Sequence, residues 1–331
     1  MSNIPAPVVT PTLDLTRATA AVAKYAPEIM RKRFGHLDAA RQFMSHLDVT
    51  KSKKFRKIVV SGSLRKYDGA VKTGNNAIAL SDRELSVKVG QKELPVEPEA
   101  FRDTWANEMA KISEGRVPME QYILDDFVKN SFVDLDKIFW KGDTTNVAFA
   151  GLPEEICDGL EKILLGLTTG GSPDIVPVSV PAFDEGTGSF YNGTAGNYNN
   201  NMFKVWNAHL DAVKKEPVDM FVSYSHYAAA QRSYRREFGG EMQFNKDEYD
   251  QEFFYLDNTQ KKCRVFPASW LGTSNRIISC KYGAIVTGTD LAQMVTSVDI
   301  QKIGYIFLYL MKVVFGVQAI DPEAIRMSSQ A

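Results

Sequence analysis

The sequence predicts an α+β protein. Helical and extended segments alternate without a regular strand–helix–strand repeat, one helical run is unusually long, and the chain closes on a long apolar stretch. The helical run extends from Pro118 to Trp140. It places Met119, Ile123, Phe127, Leu135, Ile138 and Phe139 at helical spacing, with Tyr122, Val128 and Phe132 in an adjoining stripe. Pro118 suits a first helical turn, where its missing N–H would be unpaired anyway, and Gly142 suits the cap beyond the last apolar residue. Such a helix is about 35 Å long at 1.5 Å per residue, more than a compact domain of this size needs. The closing apolar run, Ile303 to Ile320, carries Lys312 at its centre and Gly304 and Gly316 near its ends. That is short and broken for a membrane span, so a buried strand is expected.

Composition bounds the rest. A chain of 331 residues with 44% apolar content can bury a large core, as two domains or one elaborated domain. Cys157, Cys263 and Cys280 are odd in number and never in C-x-x-C spacing, which excludes a disulfide framework and a zinc site and fits a reducing cytoplasm. The first residues lack the basic and apolar regions of a secretion signal. The net charge of −1 conceals an asymmetry: residues 1 to 75 hold 14 of the 39 Lys+Arg but 5 of the 40 Asp+Glu. Arg31-Lys32-Arg33 and the cluster Lys51, Lys53, Lys54, Arg56 and Lys57 supply most of that charge, and Pro5, Pro7, Pro11 and Pro27 disfavour regular structure around the first of them. A basic arm that docks on acidic surfaces of sister subunits, or that faces nucleic acid, is the expected reading.

After the arm, Lys57 to Leu94 is expected to form an extended ribbon, with β-branched or alternating segments at Lys57–Ser61 and Leu85–Val89 and turns at Gly62, Gly69, Gly74 and Asn75-Asn76. It has few large apolar side chains of its own, so it needs a partner surface. Helices follow at Glu99–Ser113, at the long run, and at Glu154–Leu167. Thr168 to Asn201 has loop composition, Met202–Lys215 is an amphipathic helix, Val218–Ser223 a central strand, and Tyr227–Phe238 a basic helix. Short strands are expected around Cys263–Phe266, Arg276–Ser279 and Ala284–Thr287 before the closing strand.

No catalytic constellation emerges. Gly69–Gly74 has phosphate-loop glycine spacing, but Asn75-Asn76 stand where Lys and Ser/Thr are required. His36, His46, His209 and His226 are scattered, and packing or surface roles are expected for them. Asp247, Glu248, Asp250 and Glu252 lack calcium-loop spacing, and Asp125-Asp126 point about 100° apart on their helix. Asn192-Gly-Thr194 reads as a turn. No cofactor or metal is expected, and no enzymatic activity.

The order of segments resembles the major capsid protein of tailed double-stranded DNA bacteriophages, the Hong Kong 97-type fold. Two stretches carry the resemblance: residues 119 to 152, similar to the family's spine helix with its Gly-Asp and Gly-Leu turns, and Arg264 to Ile325, with Arg264-Val-Phe-Pro267 and Asp321-Pro-Glu-Ala-Ile325. The resemblance implies a basic N-terminal arm at 1–54, an E-loop at 55–97, a P-domain with the spine helix at 98–150, an A-domain at 151–294, and the P-domain's closing strand at 295–331. It implies self-assembly into hexamers and pentamers of an icosahedral head in the bacterial host cytoplasm. Expected partners are a separate scaffolding protein, a portal, decoration proteins and packaged DNA held non-specifically, with no membrane. Arg31, Lys32, Arg33, Lys51, Lys53, Lys54, Lys57, Lys88 and Lys92 are the expected intersubunit or DNA-facing cations. Some relatives weld subunits by a Lys–Asn isopeptide bond; here Gln301 and Lys312 stand at the positions of the Asn and its promoting Glu, so no covalent crosslinking is expected even though Lys88 and Lys92 lie in the right loop. An encapsulin-like shell around a protein cargo is the alternative within the same fold, and a soluble enzyme with an unrecognised site the alternative outside it.

Overall fold

The computed structural model describes residues 19, 22, 24–30, 37–60, 78–97, 119–169, 173–181, 198–240, 242–247 and 250–329. The expected helix at Glu99–Ser113, the phosphate-loop lookalike at Gly69–Gly74 and the Asn192 turn lie outside them.

After helical residues 24–30 (α1) and Asp38–Gln42 (α2), the long helix, α3, runs Met119–Lys141. Leu124, Phe127, Val128, Ser131, Phe132, Leu135, Ile138 and Phe139 are buried along it, the stripe that the three-and-four spacing requires. Its partner is the closing strand β12, Ile306–Ala319. In the first half of β12 the pleat alternates: Phe307, Tyr309, Met311 and Val313 are buried, while Leu308 and Leu310 are half-buried and Lys312 is exposed. Phe127 meets Tyr309 at 6.2 Å and Phe139 meets Phe315 at 6.5 Å. Alternation explains how a lysine sits inside an apolar run: it occupies the open face. No described helix is long and apolar enough to cross a membrane.

β12 organises one sheet. Strand β4, Lys88–Val96, pairs antiparallel with residues 307–315. β10, Ile285–Gly288, and β11, Asp299–Ile303, pair with its two ends, and β1, Met44–His46, adds in parallel beside β10. Between β10 and β11 the chain loops out as the short helix α8, Leu291–Thr296, and two hydroxyls close the gap. Thr289 Oγ1 donates to the Val314 carbonyl at 2.7 Å, and Ser297 Oγ accepts from the Lys312 amide at 2.9 Å.

A second sheet runs in the order β13 (Ile325–Met327), β9 (Ile278–Lys281), β5 (Val218–Val222), β8 (Cys263–Pro267), β7 (Glu252–Tyr255), β6 (Asn245–Lys246), with β5 central, as expected. Both faces of β5 are covered. Met220 and Val222 pack with Met202, Val205 and Ala230 of the helices α5 (Tyr198–Asn207) and α7 (Tyr224–Phe238), while Phe221 faces the core of the first sheet. There Trp270 lies 4.9 Å edge-on from Phe139, 5.6 Å from Phe43 and Trp140, and 5.8 Å from Phe221. Its Nε1–H donates to Gln42 Oε1 at 2.7 Å. This aromatic knot joins the end of the spine helix, the segment before β1 and the second sheet.

Four expectations need correction. Residues 24–30 are helical despite Pro27, and Val22, Ala26 and Met30, four apart, are buried in the main core, so this part of the chain carries core residues. The extended ribbon starts at Ser52, not Lys57, and its last part, β4, leaves it for β12. The helix expected over Glu154–Leu167 splits into a turn at Pro153–Glu155 and α4, Leu160–Thr168, because Gly159 lies against Gly142 with their backbones hydrogen-bonded at 2.7 Å. The helix expected over Met202–Lys215 breaks at His209, whose ring is drawn inward to Ser279 Oγ at 2.9 Å, and a second short helix α6 follows at Asp211–Lys214.

Trp270→Ala is expected to cost about 3–5 kcal/mol, the range for emptying a buried aromatic site, and to loosen both sheets together; an unchanged urea midpoint would contradict the knot's role.

Candidate functional site

Strands β2, Ser52–Val60, and β3, Ile78–Ser86, form a two-stranded antiparallel ribbon that pairs with no other described strand. The period of two gives its base two faces. The inner face carries Lys53, Phe55, Lys57, Arg83 and Leu85. Leu85 is fully buried, and Phe55 packs on the main core with its ring 5.2 Å from His46. Lys57 Nζ donates to Asp321 Oδ1 and Glu323 Oε2, each at 2.8 Å, and Arg83 to Asp174 at 2.5 Å. The outer face sets Lys54 opposite Glu84, Arg56 opposite Asp82 and Ile58 opposite Leu80. Arg56 grips Asp82 through two nitrogens at 2.9 and 3.2 Å, an exposed pair that fixes register more than it stabilises. Ile58 and Leu80 are 62% and 60% exposed. Two large aliphatic side chains facing each other on an exposed ribbon form an apolar surface with nothing in the described chain over it.

The ribbon reaches the sheet by crossing its face. Gly288 and Gly316 are directly opposite in the β10–β12 ladder. A Cβ on Gly316 would lie 2.2 Å from the Ser86 carbonyl oxygen, and one on Gly288 would lie 2.8 Å from Leu85. Glycine at both positions is what permits the close approach of a third backbone. Gln318 Nε2 donates to the Glu84 carbonyl at 2.9 Å, and the Val87 amide to the Lys51 carbonyl at 3.0 Å. From Lys88 the chain drops to the sheet edge as β4.

Beside β4 a groove of about 400 Å³ runs between it and the spine helix, with Leu135, Ile138, Leu152, Ile156 and Val313 among its walls. Gly90 leaves room there for Ile156, whose Cδ1 would lie 2.3 Å from an added Cβ. Lys92 reaches Asp134 of the helix at 2.9 Å. Where the helix ends, Lys162 Nζ donates to Asp143 and Asp158 at 2.6 and 2.7 Å. Those bonds, with those from Thr145, hold Asp143 down to about 2 and clasp the turn that the sequence marked as Gly-Asp.

Of the expected cations, Arg31, Lys32 and Arg33 lie outside the described residues. Lys51, Lys54 and Lys88 are exposed, whereas Lys53, Lys57 and Lys92 engage groups of their own chain. Lys88 and Lys92 lie opposite Phe315 and Met311, Lys312 opposite Gln91, and Gln301 donates to Asp299. His36 and Glu248 lie outside the described residues, and the other sequence candidates sit in packing or ion-pair roles. Burial lowers His209 to about 3 and His226 to about 4. Asp250 pairs with Lys246 at 2.7 Å and Asp247 with Arg41 at 4.0 Å, while Cys157, Cys263 and Cys280 are buried thiols. Sequence reasoning missed His46, Phe55 and the pairing of Gly288 with Gly316; the isolated glycines inside β-branched runs were the available signal.

No family model and no curated protein sequence matches the chain. Solved structures do. A chain from the capsid of Myoviridae phage XM1 superposes with a TM-score of 0.55 at 9% identity, covering 89% of this chain and 92% of that one. A chain from the procapsid of satellite phage P4 with its size determination protein gives 0.56 at 11% identity, covering 95% of each. A Gordonia phage Cozz chain gives 0.51 at 12% identity over 89% and 86%. The fold is that of Hong Kong 97-type capsid proteins.

Gly316→Ala is expected to destabilise the protein by about 1–3 kcal/mol through overpacking against Ser86, whereas Gly166→Ala, at an open site within α4, is expected to stabilise it by about 0.5–1 kcal/mol. Equal thermal shifts for the two variants would contradict the crossing.

Proposed function

We propose that this chain is a major capsid protein that self-assembles into hexamers and pentamers of an icosahedral head enclosing phage double-stranded DNA. The observation that carries the reading is the ribbon: a strand pair anchored at its root by glycines and partly exposed ion pairs, and presenting the exposed Ile58–Leu80 pair away from its own subunit. Such a face is satisfied by another copy, and the match to capsid chains over nearly the whole length supports that partner.

In this reading residues 1–54 act as the arm, 55–97 as the E-loop, 98–150 and 295–331 as the P-domain, and 151–294 as the A-domain. The work is geometric: many modest contacts add across a closed shell, and the chain needs no catalytic group or cofactor. Lys51, Lys54 and Lys88, together with Arg31, Lys32 and Arg33, supply charge for acidic neighbours or for DNA. Lys53, Lys57 and Lys92 first set the ribbon and β4 in place within the subunit. A scaffolding protein, a portal and decoration proteins complete the assembly in the host cytoplasm, and the virion is the destination. With Gln301 and Lys312 where crosslinking chemistry would need Asn and Glu, the shell is held without covalent welds.

Electron microscopy of the protein produced alone and with its neighbouring genes, with nucleic-acid content measured, tests the reading. Closed angular shells that fill with DNA are expected. Small uniform shells around protein cargo would support an encapsulin-like compartment instead, and a stable monomer would overturn shell formation.

A further inference from the structure

The ribbon root contains a charge arrangement that capsid assembly alone does not call for. His46 ends β1, level with Gly288 in the neighbouring strand, so it sits beside the glycine pair over which the ribbon crosses. Its ring lies against Phe55 of β2. Its Nδ1 is 3.2 Å from Lys53 Nζ. An ammonium has only protons to give, so Nδ1 must be the acceptor and the imidazole proton must sit on Nε2. Nε2 is buried and has no hydrogen-bond partner among the described residues. The ring is therefore neutral and held by its contact with Lys53.

A second proton can enter only at Nδ1, where it would point at the ammonium. The groups facing the ring are few. Lys53 comes from β2, and Asp48, from the turn after β1, lies 4.0 Å from Lys53. β10 sets the uncharged Gly288 level with His46, and β3 sets the uncharged Leu85 opposite Lys53. We propose that His46 and Lys53 form an acid-released latch, closed at neutral pH and opened when protonation of His46 sets two cations against each other at the start of the ribbon. Lys53 then turns toward Asp48, Phe55 loses one of its packing partners, and the first residues of the ribbon loosen while Lys57, Arg83 and Leu85 still hold it to the body. This rests on the ribbon being the intersubunit element, and its consequence is that acid changes the angle at which one subunit reaches the next.

The sign follows from the surroundings. Burial, then Lys53, hold His46 below the ordinary imidazole range, and Asp48 opposes them. A group harder to protonate when latched than when released binds its proton preferentially in the released state. Latching is thus complete above the ordinary imidazole range and is lost progressively as pH falls from that range through the lower value of the latched ring.

Hydrogen exchange of the full-length protein, read on peptides covering 52–60 and 78–86 with the intrinsic pH dependence divided out, tests this between about pH 7.5 and about pH 5. Exchange at the root is expected to rise several-fold on acidification in the native protein. His46→Gln, which can still accept from Lys53 but cannot titrate, is expected to flatten that response; a response equal to the native one would overturn the latch. Should His46→Gln fail to fold by circular dichroism, Lys53→Met replaces it, because removing the ammonium must also shrink the response, and an unchanged response would overturn the latch equally. Particle formation at neutral pH is scored separately, so a subunit that latches but never assembles refutes the shell reading and not the latch.

Discussion

Where Gly288 and Gly316 face each other, the backbone of Ser86 lies against Gly316 too closely for any side chain there, and the Leu85 and Val87 side chains fill the space over Gly288. The rest of the molecule depends on that contact. Because β3 can cross the sheet at this point, the ribbon leaves the body on one side while β4, only one residue further on, joins β12 for nine residues. Because β12 is thereby covered at one end, its residues from Val313 to Val317 are buried on both faces, while its other end keeps one face open around Lys312. The spine helix packs under the same strand through Phe127 and Phe139, and the knot at Trp270 carries that packing into the second sheet.

Charge follows the same plan. The basic segment that dominates the first quarter of the sequence is partly neutralised at the root, where Lys57 meets Asp321 and Glu323, and Arg83 of the facing strand meets Asp174. These ion pairs are partly exposed, so each contributes little to stability alone. Their role is directional: they hold one face of the ribbon to the body and leave the Ile58–Leu80 face outward. The Lys162 clasp likewise fixes the path of the chain after the spine helix, where Gly142 and Gly159 come too close for side chains.

Much of this was legible in the sequence. The long helix α3 ends within one residue of its expected C-terminus, since a three-and-four stripe closed by a glycine has few alternatives. The closing strand and the central strand β5 were also clear from their apolar runs. What stayed hidden depends on distant contacts. Pro27 argued against a helix that tertiary burial of Ala26 and Met30 supports. Gly159 and His209 break helices that periodicity alone would continue, each because of a partner elsewhere in the chain. The pairing of Gly288 with Gly316, and of His46 with Lys53, requires the register of strands far apart in sequence. The cations were legible as a cluster, but which of them turn inward depends on the pleat of β2.

In the proposed shell, the outer face of the ribbon is completed by a second copy. Hydrogen exchange at residues 52–60 and 78–86, compared between dissociated subunits and assembled particles at one neutral pH, tests it most directly. Assembly should slow exchange of the ribbon around Ile58 and Leu80 while leaving the already buried β5 unchanged. Identical ribbon exchange in free and assembled protein would contradict the claim.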